Sequence, residues 1–188
     1  MTLLVFVDSN VLYARTTRDW LLMLRAASKG ELFRLQTSLD VLHEVGARLR
    51  DDHPEKAYGF IGTLHKRVAE YVDEMVEDYP GGRVPWIADD GDWHVHHAAV
   101  HGRADILLSN DRGFASEETP YEALTCDEFF CEIDRADPRS VREVLDRQLS
   151  FWAKRGASRD PADILRLAGC AEFSEAIRVH LRRKALDS

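Results

Sequence analysis

No stretch of this 188-residue sequence carries the roughly 20 consecutive apolar residues that a membrane-spanning helix needs, so no such span is expected. Cysteine is scarce. Cys126, Cys131 and Cys170 form neither a CxxC pair nor an even set, which argues against a disulfide framework and suits a reducing cytoplasm. Residues 1–7 contain no basic side chain and Asp8 cuts their apolar run short, so a secretory leader is not expected. A basic excess is missing too: 25 Lys and Arg face 33 Asp and Glu, a net charge of −8. Phosphate binding is carried mainly by Lys and Arg, so a generic nucleic-acid binder is excluded. Any contact with nucleic acid must run through local patches or bound cations. There is no internal repeat, and 45% apolar with 31% charged residues rules out disordered and low-complexity classes.

What is present is unevenly distributed. Residues 1–132 hold 13 basic and 24 acidic side chains, net −11, whereas 133–188 hold 12 and 9, net +3. Compositional drift on a solvated surface explains this, as does an acidic main domain with a cationic helical annex. Leu3–Val7 is short, apolar and rich in strand formers. A helix is expected from Asp19 through Leu24 and Arg25 to a stop at Gly30, then a short strand at 32–37. Ser38 caps a helix in which Leu39, Leu42, Val45 and Leu49 recur. Pro54 opens a long helix over 55–78, with Phe60, Ile61, Leu64, Val68, Tyr71, Val72 and Met75 inward, ended by Pro80-Gly81-Gly82.

Trp93–His101 reads as a helix, Ile106–Leu108 and Glu122–Leu124 as strands, and Thr125 with Glu128 as a capping box for a helix at 127–133. Apolar runs alternating with helical stretches imply parallel strands joined by crossover helices, an α/β fold. Asp137-Pro138 and Asp160-Pro161 then each set an N-cap acid before a proline suited to the first helical position. Three apolar stripes follow, led by Val141, Ile164 and Phe173. The organisation expected is a main domain at 1–133 and a helical C-terminal extension at 134–188.

Four acids stand out by position. Asp8 sits at the carboxyl end of a buried strand, where open α/β sheets bind ligands. Asp111 follows the strand Ile106–Leu108, Asp92 heads the Trp93–His101 helix, and Glu44 lies on the helix capped by Ser38. Each has an ordinary explanation as turn former, N-cap or solvated glutamate. Together Asp8, Glu44, Asp92 and Asp111 resemble the acidic quartet of PIN-domain nucleases. The matching stretches are Val5-Phe6-Val7-Asp8-Ser9-Asn10-Val11-Leu12, the helix of Glu44, Asp92-Trp93-His94-Val95, and Ala104-Asp105-Ile106-Leu107-Leu108-Ser109-Asn110-Asp111. The resemblance covers residues 3 to about 130 and is nearest to VapC-type toxins of bacterial type II toxin–antitoxin pairs.

That resemblance implies a PIN-like fold, with a central, mostly parallel sheet flanked by helices. It implies a metal-dependent endoribonuclease whose quartet is both catalytic and metal-binding. Two carboxylates about 4 Å apart repel by about 4 kcal/mol at an effective dielectric near 20, so four in one pocket require protons or cations. All-oxygen sites favour Mg²⁺ or Mn²⁺. Asn10 and Ser109 would orient carboxylates or water, Arg15 would meet phosphate, as would Arg18, Arg103 and Arg112, and His94 would stand just behind the acids. Asp89 and Asp90 compete with Asp92 for its place. The implied partners are an RNA substrate, a small antitoxin and a second copy of the chain, without a membrane.

Other readings stay open. A non-catalytic PIN-like module could bind RNA or protein. A haloacid-dehalogenase-like phosphatase would use Asp8 as nucleophile, although its pattern wants an aspartate where this chain has Asn10. His97-x-x-x-His101 has zinc spacing but no third ligand nearby in sequence. Trp20, Trp86, Trp93 and Trp152 are read as packing residues. Arg178, Arg182, Arg183 and Lys184 suit a helix C-terminus or a phosphate contact.

Overall fold

Among the described residues, 2–156 and 160–186 of the computed structural model, five short strands form one sheet. They are β1 (Leu3–Val7), β2 (Phe33–Ser38), β3 (Glu74–Val76), β4 (Ile106–Leu108) and β5 (Glu122–Leu124), in the order β3-β2-β1-β4-β5. Every neighbouring pair is parallel, with Val5 opposite both Leu35 and Ile106. Strands β1 (Leu-Leu-Val-Phe-Val) and β4 (Ile-Leu-Leu) are continuous hydrophobic runs because both faces of a parallel sheet are covered. The fold is therefore α/β with a wholly parallel sheet.

The helices are α1 (Ser9–Tyr13), α2 (Arg15–Ala27), α3 (Leu39–Asp52), α4 (Ala57–Tyr71), α5 (Trp93–His101), α6 (Cys126–Ala136), α7 (Pro138–Ala153), α8 (Pro161–Leu167) and α9 (Ala171–Leu186). Side chains alternate across a strand, and β2 shows which helices lie on which face. Phe33 packs edge-on against Phe129 of α6, with ring centroids 5.1 Å apart. Gln36, of opposite parity, donates its amide to Gly102 O at the end of α5 (3.0 Å). Helices α5 and α6 thus cover opposite faces. The expected caps form: Ser38 on α3, Thr125 with Glu128 on α6, Asp137 on α7 and Asp160 on α8.

Three expectations need correction. The helix that sequence places at 55–78 ends at Tyr71, and β3 occupies its last part. Asp73 forces the change. Its N–H donates to Leu35 O (2.8 Å), and its carboxylate accepts from Leu35 N (2.9 Å) and from Arg25. Those bonds lay the following residues alongside β2, and tertiary pairing overrides helical periodicity. Phe60, expected inward, is 42% exposed. The helix expected from Asp19 starts earlier, at Arg15, and a separate short helix, α1, precedes it.

The three helices beyond residue 137 share the core of the sheet domain. Phe173 of α9 is fully buried, with its ring 5.2 Å from Trp20 of α2 and 5.3 Å from Phe130 of α6. Asp127, in the first turn of α6, accepts from the N–H groups of Glu172 (3.0 Å) and Phe173 (2.8 Å), and so caps α9 from another helix. His180 pairs with Asp134 at 2.7 Å, and Arg178 and Lys184 pair with Asp163 and Asp146. Phe173→Ala should therefore cost about 3–5 kcal/mol, and Asp127→Ala about 0.5–2 kcal/mol through the lost cap. Urea unfolding checks both, and each variant should unfold in one transition that includes the sheet.

Candidate active site at the carboxyl ends of β1 and β4

From β1 the chain moves outward to β2 and β3, then crosses back to β4 on the other side of β1. At such a reversal of strand order a crevice opens beyond the carboxyl ends of the two strands. Asp8 leaves β1 at that point, and Ser109-Asn110-Asp111 leave β4 beside it.

Asp8 is only 3% exposed. One carboxylate oxygen accepts from its neighbour Ser9 N (2.5 Å), which caps α1. The other accepts from Asn10 Nδ2 and from Ser109 Oγ, each at 2.7 Å. Asn10 Nδ2 also donates to Ser109 Oγ (2.9 Å), and its Oδ1 accepts from Asn110 N (3.1 Å). Ser109 Oγ in turn accepts from Asp111 N (3.0 Å). The loops after β1 and β4 are thus bound together through one carboxylate, and Asn10 and Ser109 are the residues that orient it. Burial pushes the Asp8 carboxyl above its ordinary value. Hydrogen bonds from Ser109 and Ser9 oppose that push, and Glu44 adds to it.

Asp92 closes a 3₁₀ turn (Asp90–Asp92) ahead of α5, and its side chain makes no capping bond. It is half-buried. Burial raises its carboxyl to about 6, and the negative charges of Asp8, Asp89, Asp111 and Glu44 add to the rise in that order. All four sequence-predicted acids therefore act within one local field, although they come from four separate elements. Asp111 is exposed and accepts from Gly113 N (2.8 Å), while Glu44 is 46% exposed on α3. Asp89, weighed as a substitute for Asp92, instead caps the 3₁₀ turn through Gly91 N (2.9 Å) and adds to the field on Asp92.

Compared with models of protein families, with curated proteins and with solved structures, the chain matches none. The function must be argued from the site itself.

His94 stands against this group. Its Nδ1 meets Gly91 O at 2.6 Å, and its Nε2 lies 3.8 Å from Glu44 Oε2. That separation is too long for a hydrogen bond, and Nε2 is buried without a partner. The donor set is thus four carboxylates and one orphaned ring nitrogen, a chemistry that fits a divalent cation. Among the described residues, however, no three His, Cys, Asp or Glu side chains are arranged to hold a metal ion. The acids share a field without closing on one ion-sized position.

Arg15 is placed elsewhere. It pairs with Asp19 at 3.6 Å and lines a cleft of ≈ 480 Å³ with Arg67 and Arg147. Arg18 also pairs with Asp19 and donates to Leu12 O (2.9 Å). His97 uses Nε2 on Gly82 O (2.9 Å). Sequence reading missed Asn110, whose Oδ1 accepts from Cys126 N (3.1 Å) and ties the β4 loop to the start of α6. Nothing in a turn-forming asparagine signals that distant partner.

The crowding has a measurable consequence. Because the folded Asp92 holds its proton up to about 6, against an unfolded value near 4, the folded state binds the extra proton between those values. Stability is therefore lost as pH rises through that window, and it is undiminished below about pH 4. Asp92→Asn, which mimics the protonated acid, should match the metal-free wild type below about pH 4 and melt higher above about pH 6. Thermal unfolding against pH in chelator checks this. Identical profiles would mean that Asp92 feels no such field.

Proposed function

We propose that the chain is a metal-dependent endoribonuclease of the PIN type, hydrolysing RNA phosphodiester bonds with Asp8, Glu44, Asp92 and Asp111 as its acidic set. One arrangement carries the reading: Asp8, Asp111 and Glu44, from three separate elements, all bear on the half-buried Asp92 carboxyl, which burial raises most and Asp89 also raises. A purely structural role gives no reason to concentrate like charge, since each carboxylate is better solvated alone. Sites with perturbed acids in a cleft are candidates for catalysis, and the switch-point location supports the same conclusion.

The residues divide the work. Asp8 is held in one orientation by Ser109 and Asn10, a buried carboxylate between the loops that follow β1 and β4. Asp92 balances between neutral and charged near pH 6, so a cation or a proton decides its state. Glu44 and Asp111, being more exposed, can adjust toward an incoming ligand. Mg²⁺ or Mn²⁺ is the proposed cofactor, and when bound it supplies charge neutralisation at the scissile phosphate and acidifies water. An acidic protein then engages a polyanion through its cations rather than through a basic surface. By the resemblance alone, the chain is further proposed as the toxin of a type II pair, with a small antitoxin and a second copy as partners.

The phosphatase reading loses ground on the same geometry. Its pattern wants an acid two residues after Asp8, and the residue there is Asn10, whose amide donates to the Asp8 carboxylate. Labelled single-stranded RNA should be cleaved with Mg²⁺ or Mn²⁺ and left intact with chelator. Ser109→Ala should reduce the rate about 10–100-fold, the usual cost of losing an orienting partner, and Asp92→Asn should cost more. RNA left intact with every divalent ion would overturn the nuclease and leave a non-catalytic binding module.

A further inference from the structure

We propose that the cleft between α2, α4, α7 and α8 is a second binding site, which takes a small phosphate-bearing aromatic ligand of the nucleoside monophosphate class. The proposal stands apart from the nuclease reading, since none of the four acids lines this cleft. Its volume, ≈ 480 Å³, falls in the range of small-molecule pockets. Two of its walls, α7 and α8, belong to the helical extension, to which the acidic site gives no part.

Charge comes first. In a chain of net charge −8, the cleft gathers Arg15, Arg67 and Arg147 against two acids, Asp19 and Glu70. Asp19 is oversubscribed. It is hydrogen-bonded to Arg67, while Arg15 and Arg18 each lie 3.6 Å away, beyond hydrogen-bond distance. One carboxylate thus faces three guanidinium groups, and Arg18 Nε is buried with no hydrogen-bond partner. Burial lowers the Arg18 guanidinium below its ordinary value, and Arg67 and Arg15 add to the fall against the pull of Asp19. Arg147 pairs with Glu143 of its own helix, but both side chains are half-exposed and water screens the pair. The surplus positive charge suits an anion with several acceptor oxygens, and the guanidinium fork matches phosphate.

The remaining lining is largely apolar and aromatic. Trp20 is almost fully buried and packs edge-on against Phe173, so its ring is fixed. Phe151 is 37% exposed, with its ring 5.1 Å from that of Trp152. Aromatic rings beside arginines hold a base and its phosphate together. Gln148, in the same lining, donates its amide to the Met23 thioether at 3.5 Å, a weak acceptor. A base edge offers that amide a stronger one.

Isothermal titration calorimetry of the full chain in chelator tests this, with AMP, UMP, adenosine and inorganic phosphate as separate probes. The wild type should bind at least one of the nucleotides at millimolar concentration or below, with adenosine and phosphate each about 10-fold weaker or worse. Arg147→Gln and Phe151→Ala alter exposed side chains, and each should weaken nucleotide binding about 10-fold. Failure of both nucleotides to bind would overturn the proposal. So would adenosine or phosphate binding as tightly as the nucleotide, or affinities unchanged in both variants. The wild-type comparison of probes decides the matter even if a variant folds poorly.

Discussion

The buried Asp8 carboxylate is the constraint on which the rest of the site depends. A charge taken out of water is costly unless its oxygens are satisfied, and here the donors come from both sides of the β1–β4 boundary. The same bonds that make burial tolerable therefore fix the two loops relative to each other. Asp111 inherits its place from Ser109, which accepts its N–H, and Asn110 inherits its place from Asn10. Removing the carboxylate would take the acceptor from Ser9 N, Asn10 Nδ2 and the buried Ser109 hydroxyl at once, a worse outcome than losing a single hydrogen bond.

Around this fixed charge the other acids are arranged by increasing freedom. Asp92 is half-buried and responds by holding its proton, whereas Glu44 and Asp111 are exposed and let water screen them. The gradient explains how a chain of net charge −8 tolerates the cluster without a cation in place. Full burial of all four would need an ion at all times. Full exposure would leave no field for an ion to relieve. Among the described residues no three His, Cys, Asp or Glu side chains are arranged to hold a metal ion.

Much of this was legible in the sequence, and the legible parts share a cause. Strands β1 and β4 were readable to the residue because short apolar runs bounded by Thr, Asp and Ser have few alternatives, and β5 because the capping box at Thr125 fixes where it ends. The caps Ser38, Thr125, Asp137 and Asp160 were readable because capping is a local bond. Asp8, Asp92 and Asp111 could be singled out because each adjoins the end of such an element, and Glu44 only through its companions. Strand β3 was not legible. Val72, Met75 and Val76 fit a helix equally well, and only Asp73 reaching to Leu35 and Arg25 decides the matter. Arg15 is expected near phosphate by nearness in sequence, and in the structure it lies within 3.6 Å of Asp19, one helical turn away. The union of the last three helices with the main core was equally hidden, because Phe173 meets Trp20 across more than 150 residues.

His94 shows where local and distant information meet. Its bond to Gly91 O lies within one turn and follows from the chain's path into α5. Its approach to Glu44 depends on α3, which follows β2, while α5 leads into β4 on the far side of β1. The ring nitrogen therefore reports on the closure of the whole sheet, not on its own helix. The Nδ1 contact is thus set locally and the acidic neighbour of Nε2 is set globally.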